Sequence, residues 1–197
     1  MEFTAALRRV RDAAPLVQCI TNFVTVNDCA NIILAAGGSP SMADDIREAA
    51  ESAAGANALV CNLGAIGKVD SMISAGQSAN HAGHPVVLDP VAAGGTELRR
   101  QESARLLDQV HFTAIRGNAS EIRALALREQ VGRGVDVGQG DVVTADTLSR
   151  TVETARLLAR QTGAVAAVSG PMDVVTDGSR TVILRNGCAT MARITGS

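Results

Sequence analysis

Pro85-Val86-Val87-Leu88-Asp89-Pro90 is a short apolar run closed by proline on both sides and ending in an acid. Its apolar residues are consecutive, not alternating, which is the pattern of a strand buried on both faces. Residues 66–80 before it and Thr96 to Gln109 after it read as helices. A buried strand between two helices is the repeating unit of a parallel α/β sheet.

The pattern continues outward from this strand. Toward the N-terminus, residues 2–13 space Phe3, Leu7 and Val10 as an amphipathic helix that Pro15 ends. Leu16–Ile20 is an apolar strand. Val24–Ala36 is a largely apolar helix closed by Gly37-Gly38. Ser39–Ala43 is a short strand or turn, and Asp44 and Asp45 open a helix through Ala54, with acids at its positive end. Ala58–Asn62 is the next strand. Toward the C-terminus follow a strand at His111–Ile115, a helix at Asn118–Arg128, a glycine-rich loop at 129–141 and a long helix at Thr144–Thr162. Three strands close the order: Ala164–Val168, Asp173–Thr176 and Thr181–Leu184. Without helices between them, they predict an antiparallel edge on a mostly parallel central sheet with helices on both faces. No repeat or linker divides residues 1–197, so a single domain is expected.

Composition excludes several classes of function. A net charge of −2 gives no basic surface for nucleic acid or anionic membrane. Three Phe, with no Tyr or Trp, leave no base-stacking platform and require an aliphatic core. No apolar run approaches the roughly 20 residues of a membrane span, and the charged N-terminus lacks the apolar core of a secretion signal. The four cysteines lack metal-ligand spacing, and Cys61 in an apolar run reads as a buried thiol in a reducing cytoplasm.

Ligands of such sheets sit outside the carboxyl ends of the strands. The residues just past the apolar runs are Thr21 and Asn22, Asn62 and Gly64, Asp89, Arg116 with Gly117 and Asn118, then Ser169 and Gly170. This set is polar and glycine-rich and suits a phosphate and a metal better than an apolar ligand. Several members have two readings. Asn118 with Glu121 three residues on forms a capping box; alternatively, Arg116 meets phosphate and Glu121 reaches a metal or its waters. Asp89 caps a neighbouring helix, or holds Mg²⁺ beside substrate phosphates. Ser169-Gly170 is a plain strand-to-turn transition, or accepts a nucleotide. Met42 is core, or lines an apolar pocket. Gly132–Gly138 neither follows a strand nor opens a helix, and reads as a loop, not a nucleotide fingerprint. Thr195-Gly-Ser197 is a frayed end, or begins an anion-binding turn.

Eight motifs taken in order are more specific than any one. They are Pro15-Leu-Val-Gln-Cys-Ile-Thr-Asn22, Ala36-Gly-Gly-Ser-Pro-Ser-Met-Ala43, Val60-Cys-Asn-Leu-Gly64, Val86-Val-Leu-Asp-Pro-Val91, Ile115-Arg-Gly-Asn-Ala-Ser-Glu-Ile122, Arg133-Gly-Val-Asp136, Thr162-Gly-Ala-Val165 and Val175-Thr-Asp-Gly178. With these the chain resembles the hydroxyethylthiazole kinase family of thiamine salvage, in the ribokinase-like superfamily, over essentially its whole length. The resemblance implies a ribokinase-like fold, a homotrimer with sites between subunits, and transfer of the ATP γ-phosphoryl to the hydroxyl of 4-methyl-5-(2-hydroxyethyl)thiazole with Mg²⁺. It implies Met42, Asn22 and Gly196 on the substrate side, Arg116 and Ser169 at ATP, and Asp89 and Glu121 as metal-side acids. The family pattern runs from Thr-Gly-x into Gly-Cys, whose cysteine is its catalytic residue. That cysteine lies beyond Ser197, so the expectation is a domain without its C-terminal part, with no catalytic residue of its own and reduced or absent turnover. The alternatives are a fold that binds thiazole or nucleotide without turnover, or a kinase for another small alcohol.

Overall fold

The computed structural model describes residues 3–128, 143–188 and 190–191. The chain divides into two compact units, the first running to Val86 and the second starting at Val87.

The first unit contains α1 (Phe3–Ala13), β1 (Leu16–Ile20), α2 (Val26–Ala36), β2 (Ser39–Ser41), α3 (Ala49–Gly55), β3 (Ala58–Asn62), a 3₁₀ turn at Ile66–Lys68 and α4 (Val69–His81). β1 lies between β2 and β3 and is parallel to both, with Gln18 opposite Ser41 and Ile20 opposite Cys61. Every strand-to-strand connection in this unit includes a helix, as parallel pairing demands. The paired glycines after α2 close it as expected. Gly37 adopts φ 102°, and the N–H groups of Gly37 and Gly38 donate to the carbonyls of Leu34 and Ile33 at 3.0 and 2.9 Å.

The core of this unit is aliphatic: Ile20, Leu59, Leu63 and Met72 are fully buried. Alanines at Ala49, Ala53, Ala75 and Ala79 are buried on α3 and α4, where small side chains permit close helix approach. Cys19 and Cys61 are buried free thiols on β1 and β3. Burial pushes Cys19 up to about 12 and also raises Cys61. The apolar stripes of α1 and α2 behave differently. Neither helix has a buried residue, Phe3 and Ile32 are 87% and 67% exposed, and Phe23 in the segment before α2 is 90% exposed.

The second unit contains β4 (Val86–Asp89), α5 (Glu97–Gln109), β5 (Ala114–Asn118), α6 (Ala119–Leu127), α7 (Leu148–Thr162), β6 (Val165–Ser169), β7 (Asp173–Thr176) and β8 (Thr181–Leu184). The strands follow the order β4-β5-β6-β7-β8. β4, β5 and β6 are parallel, while β6-β7-β8 is an antiparallel meander. The mostly parallel α/β fold with an antiparallel edge is therefore present. Leu88, Leu106, Phe112, Ile115, Ile122 and Leu158 form the buried interior.

Several expected boundaries move, three of them for a visible local reason. β5 is not His111–Ile115 but Ala114–Asn118, because its backbone stays in the ladder through Arg116, Gly117 and Asn118, opposite Ala167, Val168 and Ser169. The helix expected to start at Asp44 and Asp45 starts at Ala49. The Asp45 carboxylate accepts the Arg47 backbone N–H at 2.9 Å and binds its guanidinium, which closes a separate turn. α7 starts at Leu148 rather than Thr144, whose N–H is taken by Thr147 Oγ1 at 2.9 Å. The glycine-rich loop at 129–141, Gly196 and Thr195–Ser197 lie outside the described residues.

Candidate functional site

Within the second unit, the carboxyl ends of three parallel strands bring Asp89, Arg116 and Ser169 together with Glu121 of α6. Asp89 ends β4, and its carboxyl is lifted to about 6. Burial is the main cause, the nearby Glu121 carboxylate adds to it, and Arg116 opposes it. Arg116 lies on β5 with an exposed side chain. Ser169, opposite Asn118, ends β6 and donates its hydroxyl to the Gly117 carbonyl at a long 3.4 Å.

Glu121 is the most constrained of the four, at 8% exposure. The capping box exists: Asn118 Oδ1 accepts the Glu121 N–H at 2.9 Å, and Glu121 Oε2 accepts the Asn118 N–H at 2.8 Å. Its other oxygen, Oε1, accepts the N–H of Ala92 at 2.9 Å. Burial raises its pKa, and these two N–H groups, with Arg116 and Arg99, work against that rise. Gly117 permits this packing. A Cβ there would stand 3.0 Å from Glu121 Oε2 and 3.2 Å from both Glu121 Cβ and Pro90 Cγ.

A divalent cation suits this pair. Burial and the nearby Glu121 raise the pKa of Asp89, and burial raises that of Glu121, so a positive charge beside them would be favoured. Among the described residues no cluster of three or more His, Cys, Asp or Glu could hold a metal ion. Two carboxylates match the needs of an ion of the Mg²⁺ type, which takes one or two carboxylates and fills its remaining positions with water and phosphate oxygens.

Within the first unit, the ends of β1, β2 and β3 carry Asn22, Met42 and Asn62. Asn22 is occupied by its own loop. Its Oδ1 accepts the N–H groups of Val24 and Thr25 at 3.0 and 3.2 Å, and its amide donates to Asn62 Oδ1 at 3.5 Å. Asn62 Oδ1 also accepts the Gly64 N–H at 2.7 Å. Met42 is half-buried. Gln18, fully buried on β1, donates to the carbonyl of Ala43 at 2.7 Å and so pins the segment that follows Met42. Lys68 pairs with Asp44 at 3.1 Å.

Sequence reasoning passed over two of these residues. Gln18 sits inside an apolar run and looked like strand filler. Ala92 shows its role only through its backbone, at φ 54°.

This arrangement, with acids and an arginine at the ends of parallel strands and an antiparallel edge beyond them, is the fold of the ribokinase-like kinases. An adenosine kinase from Schistosoma mansoni shares the fold at a TM-score of 0.50 and 13% identity, over 86% of this chain and 58% of that one. A sequence model of the hydroxyethylthiazole kinase family matches residues 7–197. A hydroxyethylthiazole kinase from Desulfovibrio desulfuricans is 51% identical, over 99% of this chain and 69% of the relative. One from Clostridium acetobutylicum is 46% identical, over 97% and 71%. The structure of the hydroxyethylthiazole kinase protein from Pyrococcus horikoshii OT3 superposes with a TM-score of 0.85 at 36% identity, over 98% of this chain and 70% of that one. The chain belongs to the hydroxyethylthiazole kinase family.

Proposed function

We propose that the chain is a phosphotransferase moving the γ-phosphoryl of ATP to the hydroxyl of 4-methyl-5-(2-hydroxyethyl)thiazole, in thiamine salvage. A bond forms between the alcohol oxygen and the γ-phosphorus, the bond from that phosphorus to the β–γ bridging oxygen breaks, and the hydroxyl proton leaves. The observation that carries this reading is 51% identity to a hydroxyethylthiazole kinase across almost the whole chain. Asp89 and Arg116 at adjacent strand ends agree with it.

Phosphoryl transfer is chiefly positioning and neutralisation of charge on the moving group. Arg116 has an exposed guanidinium that fits phosphate oxygens in pairs, which a lysine cannot do. Ser169 offers a hydroxyl held only by a long bond, free to turn toward a nucleotide. Asp89 is the acid that holds Mg²⁺, with Glu121 beside it. When bound, Mg²⁺ neutralises charge on the phosphates. On the substrate side, Met42 meets the thiazole, Asn22 shapes the loop that follows β1, and Gly196 contacts the substrate.

The protein acts in the cytoplasm as a homotrimer. Its cysteines are free among the described residues, and no described helix is long and apolar enough to cross a membrane. The exposed apolar residues of α1 and α2 form the kind of surface that a second copy covers. Calorimetry with the thiazole alcohol and with Mg·ATP, beside ³¹P NMR of the mixture, tests the function. Binding of both ligands is expected, with a thiazole phosphate monoester formed at a reduced rate. Binding of neither ligand, or equal transfer to pyrimidine and sugar alcohols, would refute the assignment.

A further inference from the structure

Ala92 lies in the turn from β4 to α5, three positions beyond Asp89 in the chain. Its φ of 54° is in the left-handed region, where a residue with a Cβ is strained, and it is buried. The turn is held at several points. The N–H of Ala93 donates to the Pro90 carbonyl and that of Gly95 to the Ala92 carbonyl, both at 2.9 Å. Arg99 donates to the Val91 carbonyl at 2.8 Å. A further tie comes from 29 residues away, where Glu121 Oε1 takes the Ala92 N–H. The other oxygen of the same carboxylate takes the Asn118 N–H at the end of β5, the strand parallel to β4.

One side chain thus clamps the turn after β4 to the end of β5. Both oxygens point at backbone donors, and Gly117 is bare where a Cβ would press on the carboxylate. A plain helix cap needs only the Asn118 bond. The second bond reaches the strained residue of another loop.

We infer that Glu121 is a positioning residue for the metal site: by holding Ala92 in its left-handed conformation it fixes the turn that follows Asp89. Asp89 then meets Mg²⁺ with its carboxylate already placed. The identity of the ligand rests on the kinase reading above; the brace does not.

A cycle of Glu121→Gln, Ala92→Gly and the double variant tests this in the 197-residue chain. Glutamine keeps the shape but presents an NH₂ where one oxygen accepted, so one backbone N–H loses its partner. Glycine adopts positive φ without steric cost, so it removes the need for the clamp. Two quantities are read: the thermal midpoint without ligand, and ATP affinity by calorimetry with Mg²⁺ and with EDTA. Glu121→Gln is expected to lower the midpoint and weaken Mg·ATP about tenfold, with ATP in EDTA unchanged. Adding Ala92→Gly is expected to restore most of the midpoint and bring Mg·ATP to within about threefold of Ala92→Gly alone. A double variant as weak for Mg·ATP as Glu121→Gln, or strictly additive midpoints, would overturn the inference. If Glu121→Gln does not fold, recovery of a cooperative transition in the double variant supports the clamp, and its absence rejects it. If the parent protein binds no Mg·ATP, the kinase reading falls, while the midpoints still judge the clamp.

Discussion

Replacing Asp89 with asparagine removes a carboxyl that folding makes harder to ionise, so the ligand-free protein is expected to become more stable. The sign follows from linkage. A carboxyl whose pKa rises on folding carries no cost where it is protonated in both states, below about pH 4. The cost grows as pH rises through the window that ends at the folded value of about 6, and above it the cost is complete. At about 1.4 kcal/mol per pH unit the full cost is at most ~3 kcal/mol. Asp89 is partly exposed, and solvent screening reduces this to ~1–2 kcal/mol. Urea unfolding of both proteins at pH 8 and pH 4.5, without Mg²⁺ or nucleotide, measures it. Asp89→Asn should be the more stable at pH 8 by ~1–2 kcal/mol, with the gap closing toward pH 4.5. The same variant should lose the Mg²⁺-dependent part of ATP binding. A variant that is less stable at pH 8, or a gap that ignores pH, would show that the Asp89 carboxylate is not held at a cost for function.

Three further outcomes are expected. Gly64→Ala would put a Cβ 2.6 Å from Asn62 Oδ1 and 2.7 Å from Asn22 Nδ2, so both side chains must swing away. Loss of their bonds should cost ~1–3 kcal/mol in urea unfolding and weaken thiazole binding. Arg116→Ala should weaken ATP binding while leaving thiazole binding nearly unchanged in calorimetry, and equal loss of both would make Arg116 structural. Ile32→Glu, a change on the exposed face of α2, should lower the mass measured by light scattering without lowering the stability of the subunit, because no residue of that helix is buried.

Runs of apolar residues were the legible part of this sequence. β1 and β3 fall where their apolar stretches lie, since burial on both faces leaves few polar positions, Gln18 within β1 and Asn62 at the end of β3 being the exceptions. β5 was misplaced because Arg116 and Gly117 look like a loop. They stay in the ladder because the neighbouring strand β6 runs on to Ser169. The capping box was also legible, since Asn118 and Glu121 are three residues apart. Other features were not. Glu121 reaches Ala92 across 29 residues, and Asn22 reaches Asn62 across 40. Such contacts are set by which strands come to lie side by side, and no local spacing encodes them. Asp44 and Asp45 misled for a local reason: an acid favours a helix start, but Arg47 captured Asp45 in a turn first.

The two sealed thiols give the first unit a chemical record of its own opening. Cys19 and Cys61 lie inside β1 and β3, protonated and out of reach of a reagent, whereas Cys188 is exposed. An alkylating pulse therefore marks exposed Cys188 at once and half-buried Cys29 more slowly, and marks Cys19 and Cys61 only in molecules whose sheet has parted. The rate at which those two marks accumulate reports how often this sheet breathes, in the unaltered protein and without any inserted probe.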